Sequence, residues 1–267
     1  MTGTVRSVVD RGIATIEIDN RPVRNALDLG MYRLIARTID GLSGDGRVRV
    51  VVVRGAGEEA FSAGGDISEF RETRAPGAPA ISYNAAVATA ERALESCPVP
   101  VIAQIHGACV GGGCGIALAC DLRIADTRLR IGVTAARIGL VYGLESTRRL
   151  VDAVGRVRAT RMLVTARLLT ADEALSAGLV DEIHAPAALE GAVRTIAAEI
   201  ASLSSTSIRG AKSMLRELAK GVREETPETV EVRNASFSGD DYVEGVQAFL
   251  ARRAPRFCVE RPEGETR

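Results

Sequence analysis

Polar and apolar residues alternate over Thr4–Val9 and again over Ile13–Ile18. The intervening Asp10-Arg11-Gly12 has turn chemistry, so the chain is expected to open with a β-hairpin. Asn20-Arg21-Pro22 interrupts the alternation. Asn25 stands as the expected N-cap of a helix in which Leu27, Met31, Leu34, Ile35 and Leu42 return at helical spacing. The β-branched run Val48–Val53, bounded by charge and glycine, predicts a strand buried on both faces. Arg71–Pro79 has no periodicity and reads as a mobile loop leading into a helix over Ala80–Ser96. A second buried strand, Val99–Ile105, runs into the glycine-rich Gly107–Gly115 and a small-residue helix through Cys120. Leu122–Ala125 is a further short strand. Thr170–Gly178 reads as a capped helix ending on glycine, with a strand over Leu179–Ile183. Strand, glycine-bearing turn and helix thus recur, which predicts an α/β core over residues 1–190. From about Leu189 the pattern is helical only, so residues 191–267 form a helical C-terminal region.

A chain of 267 residues suits one large α/β domain with such an appendage. Lys plus Arg and Asp plus Glu both number 34, so no net field draws the protein to nucleic acid or to an anionic membrane. Aromatic residues are 3% of the chain and Trp is absent, too few for a base-stacking surface. The N-terminus lacks the apolar stretch of a secretory signal, and no apolar run approaches the roughly 20 residues that span a bilayer. Cys97, Cys109, Cys114, Cys120 and Cys258 are odd in number and form no CxxC. They read as reduced, buried residues of a cytoplasmic protein. With only His106 and His184, and no ligand-like spacing, no metal site is expected.

Two loops carry the candidate chemistry. Phe61-Ser62-Ala63-Gly64-Gly65-Asp66-Ile67 follows the Val48–Val53 region, and Gly111-Gly112-Gly113-Cys114-Gly115 follows Val99–Ile105. Glycines let backbone approach a ligand closely, and free N–H groups at the start of a helix favour negative charge. Two such loops facing each other would make a two-donor oxyanion hole. Glycine-rich turns also serve packing alone. Neither loop completes G-x-G-x-x-G, and neither a phosphate-binding loop ending in G-K-[ST] nor a G-x-S-x-G elbow occurs. An unrelated dinucleotide-dependent oxidoreductase is accordingly remote.

FSAGGDI at Phe61–Ile67 and HGACVGGGCGIALACDLRIA at His106–Ala125 resemble the two signature segments of the crotonase (enoyl-CoA hydratase/isomerase) superfamily. The similarity continues through Arg149–Ile183 and AFLARRAPRF at Ala248–Phe257. The resemblance implies a crotonase-like spiral of ββα turns with a helical C-terminal trimerisation region, assembled as a homotrimer or a dimer of trimers. It implies an acyl-CoA thioester substrate, coenzyme A being part of that substrate and no separate cofactor being needed. The carbonyl oxygen would be held by the N–H groups of Ala63 and Gly112. Ala63, Gly64, Gly65, Asp66, Ile67, Gly111 and Gly112 would contact the substrate.

Family hydratases resemble GGGCE where this chain has Gly115, and their second glutamate falls at Ala135. Both carboxylates of paired acid/base hydration are therefore missing. Tyr142, at the place of a tyrosine in decarboxylating members of the family, and Glu145 are the polar groups expected to move a proton. Each has a plainer reading, as a packing aromatic and as a helix N-terminal carboxylate. The missing glutamates leave two alternatives open: decarboxylation of a malonyl-type CoA ester, where loss of CO₂ makes the enolate unaided, and a non-catalytic acyl-CoA binder. His106, Asp121 and Cys114 read as structural.

Overall fold

The computed structural model describes residues 3–257, which leaves Cys258 outside the described residues. A hairpin of β1 (Thr4–Asp10) and β2 (Ile13–Asp19) opens the chain in full antiparallel register, Thr4 opposite Asp19. Helix α1 (Leu29–Ser43) follows, then β3 (Val50–Gly55) and the short β4 (Ala60–Ser62). A one-turn helix α2 (Phe70–Thr73) precedes the long α3 (Ala78–Ser96). Strand β5 (Val101–Ile105), short β6 (Ala108–Val110) and helix α4 (Gly112–Leu118) come next. They are followed by β7 (Leu122–Asp126), short β8 (Arg130–Gly132) and helix α5 (Leu144–Thr165). Then come β9 (Leu169–Thr170), α6 (Ala171–Ala177) and β10 (Glu182–His184). Helices α7 (Leu189–Ser202), α8 (Ser205–Ala219), α9 (Pro227–Ala235) and α10 (Asp240–Leu250) complete the described chain.

Three successive turns share one plan. A long strand feeds the six-stranded sheet, ordered β1-β2-β3-β5-β7-β10, a short strand feeds the four-stranded sheet, ordered β4-β6-β8-β9, and a helix leads back. The large sheet is parallel from β2 onward. Strand β3 is buried on both faces, as its unbroken valines require. Val51 and Val53 face the main core with Ile16, Met31 and Ile105, while Val50 and Val52 meet Leu189, Val193 and Ala197 of α7. The packed core therefore takes in α7 and reaches beyond residue 190. Among the described residues the chain after β10 is helical only, and buried Lys212 of α8 ties that region back. Its ammonium donates to the Val99 carbonyl at 3.0 Å and pairs with Asp121. Among the described residues no helix is long and apolar enough to cross a membrane.

Three local expectations change. Asp28, not Asn25, caps α1, its carboxylate accepting from the Met31 N–H at 2.8 Å. Asn25 lies in the left-handed region (φ 57°), and its buried amide donates to the carbonyls of Ala56 and Ala60. Arg71–Pro79 is not loop throughout, since α2 and the start of α3 fall within it. The strand expected from Leu179 begins at Glu182, because Leu179 and Val180 are engaged by the Ala174 carbonyl at the end of α6.

Candidate active site

Strands β4 and β6 are parallel neighbours, Ala60 beside Ala108 and Ser62 beside Cys109, so the loops leaving them emerge side by side. The first is strapped to the segment before α1. Ala63 N–H donates to Arg24 O at 2.9 Å, Leu27 N–H to Gly64 O at 2.7 Å, and Asp66 N–H to Leu27 O at 2.9 Å. Gly64, at φ 102°, touches the second loop. A β-carbon there would fall 2.8 Å from the Val110 carbonyl oxygen and 3.5 Å from the Gly112 nitrogen. A β-carbon on Gly112 would in turn lie 3.5 Å from the Gly65 nitrogen. Only glycine permits this approach.

The loops open on a cavity of about 420 Å³ lined by Ala63, Gly64, Gly65, Ile67, Gly111, Gly112, Tyr142 and Glu145 among others. Eight of the nine candidate residues are thereby brought together. Asp66 is the exception. Its N–H is bound to Leu27 and its carboxylate accepts from the Ser68 N–H and hydroxyl, so it caps the next turn and does not line the cavity. The Ala63 donor also needs correction, because its amide is already engaged by Arg24. Gly65 and Gly112 line the cavity, and their N–H groups meet no acceptor among the described residues. The sequence pattern located the loop but not the amide, since the acceptor is the carbonyl of a residue far upstream.

Tyr32, Phe70, Arg74 and Val87 enclose another side of the cavity. The Arg74 guanidinium lies 4.5 Å from the Phe70 ring centre and 4.1 Å from that of Tyr83. Burial pushes the Tyr32 and Tyr142 hydroxyls well above the ordinary phenol range, so both are neutral donors at neutral pH. The Tyr142 hydroxyl makes one long contact of 3.5 Å to the Gly111 carbonyl. Glu145 accepts from Arg92 at 3.0 Å and lies 3.7 Å from Arg149, with 43% of its side chain exposed. It is an ion-paired carboxylate at the mouth.

Glu91 of α3 was not singled out in the sequence, yet it lines the cavity and is only 1% exposed. Its Oε2 accepts from the Ser146 hydroxyl at 2.6 Å and from Arg149 at 2.7 Å, while Oε1 has no hydrogen-bond partner among the described residues. Burial raises its pKa above the glutamate norm, against the opposing pull of Ser146 and Arg149. The available signal was a carboxylate one residue from Ala90 and three from Leu94, on the helix face that goes into the core.

Other reactive side chains lie elsewhere. His106 does not line the cavity, and burial lowers its basicity. The Cys114 thiol is fully buried and pushed up to about 12, far from a thiolate.

The sequence profile of the enoyl-CoA hydratase/isomerase family matches residues 9–260. The short-chain-enoyl-CoA hydratase of Clostridium acetobutylicum is 31% identical over 242 residues, covering 90% of this chain and 92% of that protein. The crotonyl-CoA hydratase of Syntrophomonas wolfei is 30% identical, over 92% of this chain and 94% of that protein. The crystal structure of an enoyl-CoA hydratase/carnithine racemase from Magnetospirillum magneticum superimposes with a TM-score of 0.92 at 32% identity, covering 96% of each chain. With the twin-sheet spiral and the paired glycine loops, these matches place the chain in the enoyl-CoA hydratase/isomerase family of the crotonase superfamily.

Proposed function

We propose that the protein binds an acyl-CoA thioester with its carbonyl oxygen between the Gly65 and Gly112 N–H groups, and stabilises the enolate formed from it. One observation carries this reading. The two amides meet no acceptor among the described residues, and they come from loops that touch at the cavity. Fixed dipoles of this kind favour charge developing on the oxygen without reorganising, and each is typically worth ~10²–10³ in rate. The enclosing Ile67, Phe70, Val87 and Ile138 suit an acyl chain. A carboxylate at the cavity favours proton transfer over the two alternatives, loss of CO₂ and mere binding, because the site is not devoid of acid/base groups.

The working unit is read as a homotrimer or a pair of trimers. Val157, Val164, Phe237, Phe249 and Leu250 are exposed apolar side chains that association between chains would cover.

Exchange of the α-protons of butyryl-CoA with D₂O, followed by proton NMR, tests the enolate reading directly. Enzyme-dependent loss of the α-signal is expected. No exchange would overturn it, whether or not calorimetry shows the ester to bind.

A further inference from the structure

We propose that Glu91, reaching across from α3, is the group that takes and returns the substrate proton at this site. The inference rests on the enolate reading above and adds the residue which that reading leaves unnamed.

The geometry is specific. Gly115 lies three residues after Gly112 on α4, on the same face of the helix and one turn along. A β-carbon on Gly115 would fall 2.2 Å from Glu91 Oε1 and 3.0 Å from the Tyr142 hydroxyl. The free carboxylate oxygen thus occupies the ground that a side chain at 115 would take, beside the amide of the hole.

A purely structural ion pair does not explain the arrangement. Arg149 is already satisfied by Glu95, at 3.1 and 2.6 Å. Glu91 accepts both of its hydrogen bonds on Oε2, and Oε1 is buried with no partner among the described residues. A bare buried acceptor costs stability, and an apolar residue would pack there without that cost. The bonds to Ser146 and Arg149 fix the carboxylate so that Oε1 is the oxygen presented.

In the step itself an α C–H bond breaks and the proton passes to Glu91 Oε1. The bonding pair becomes the enolate, its charge on the oxygen between Gly65 and Gly112. In the return step Glu91 gives the proton back to carbon. One carboxylate suffices, and no water or oxidant is consumed.

The test is α-proton exchange of butyryl-CoA in D₂O, with ester binding followed in parallel by calorimetry. Glu91→Gln should slow exchange by ~10²–10⁴-fold while binding changes by less than about threefold. Glu91→Asp, which keeps the charge for Arg149, should recover part of the rate. The double variant Glu91→Ala/Gly115→Glu, with the space at 115 vacated, should exceed Glu91→Ala at least about tenfold. Should Glu91→Gln fail to fold, Ser146→Ala decides. Loss of that hydroxyl should move the acid limb of the exchange profile to higher pH, and an unmoved limb would overturn the assignment. Wild-type exchange undiminished in folded Glu91→Gln overturns the role of Glu91 alone. Absence of exchange in the wild type overturns the enolate reading, and this inference with it.

Discussion

The Tyr32 hydroxyl stands 2.1 Å from the point that a β-carbon on Gly112 would occupy. Tyr32 is buried to 1% exposure and packed edge-on against Tyr83, so it has little room to yield. Gly112→Ala should therefore displace the start of α4 and its amide, lowering kcat/KM on the best CoA ester by ~10²–10³-fold, the usual effect of losing one oxyanion donor. Adding Tyr32→Phe, which removes the clashing oxygen, should return part of that loss. Steady-state kinetics of the single and double variants check this.

Asn25 should matter for stability as much as for the site. Its amide bridges the Ala56 and Ala60 carbonyls at 2.9 and 2.7 Å, and its carbonyl accepts from the Asn20 N–H at 3.0 Å. Asn25→Ala leaves these groups unpaired and places alanine at a left-handed φ. We expect a loss of about 2–4 kcal/mol in chemical denaturation. Because β4 leads straight into Ala63–Gly65, turnover should fall as well.

Much of the scaffold was legible because it obeys simple periods. Strand β2 alternates in burial, β3 is a run of valines, and α6 carries its capping box, Thr170 with Glu173, and its left-handed Gly178 in the sequence itself. The four-stranded sheet was not legible as such. Its strands are only two or three residues long, too short for a period of two to show. Yet that sheet sets the two glycine loops side by side. The engaged state of the Ala63 amide escaped for a similar reason, since Arg24 and Asn25 turn the chain back through left-handed conformations that their residue types do not demand. Glu91 escaped because its place on the apolar face of α3 signals burial alone, and the glycine it meets stands on another helix.

The buried carboxylate has a consequence for stability. Glu91 is faced by Arg149, Glu145 and Glu95, and by the neutral Tyr142, Tyr32 and Cys114. Burial sets its folded-state value above the unfolded one, so the native state binds this proton more tightly. Its contribution to stability is present below the unfolded value near 4.5 and is lost as pH rises through the raised folded value. Glu91→Gln should match the wild type in denaturation at acid pH and become the more stable protein near neutrality. A wild type that gains on the variant as pH rises would contradict this.

Association is predicted from the exposed apolar residues of α5 and α10. Phe249 is 82% exposed, Leu250 76% and Val157 85%. Light scattering should return a mass of at least three chains, and Phe249→Glu combined with Leu250→Glu should lower it. A monomeric wild type would count against the assembly.

The most direct measurement is the carbonyl stretch of a ¹³C-labelled thioester bound in the cavity, read by isotope-edited infrared difference spectroscopy. Two fixed amides on one oxygen weaken the C=O bond, so the band should move to lower wavenumber than in water and move back in Gly112→Ala. A bound ester whose carbonyl vibrates as it does in free solution would contradict the pairing of the Gly65 and Gly112 amides.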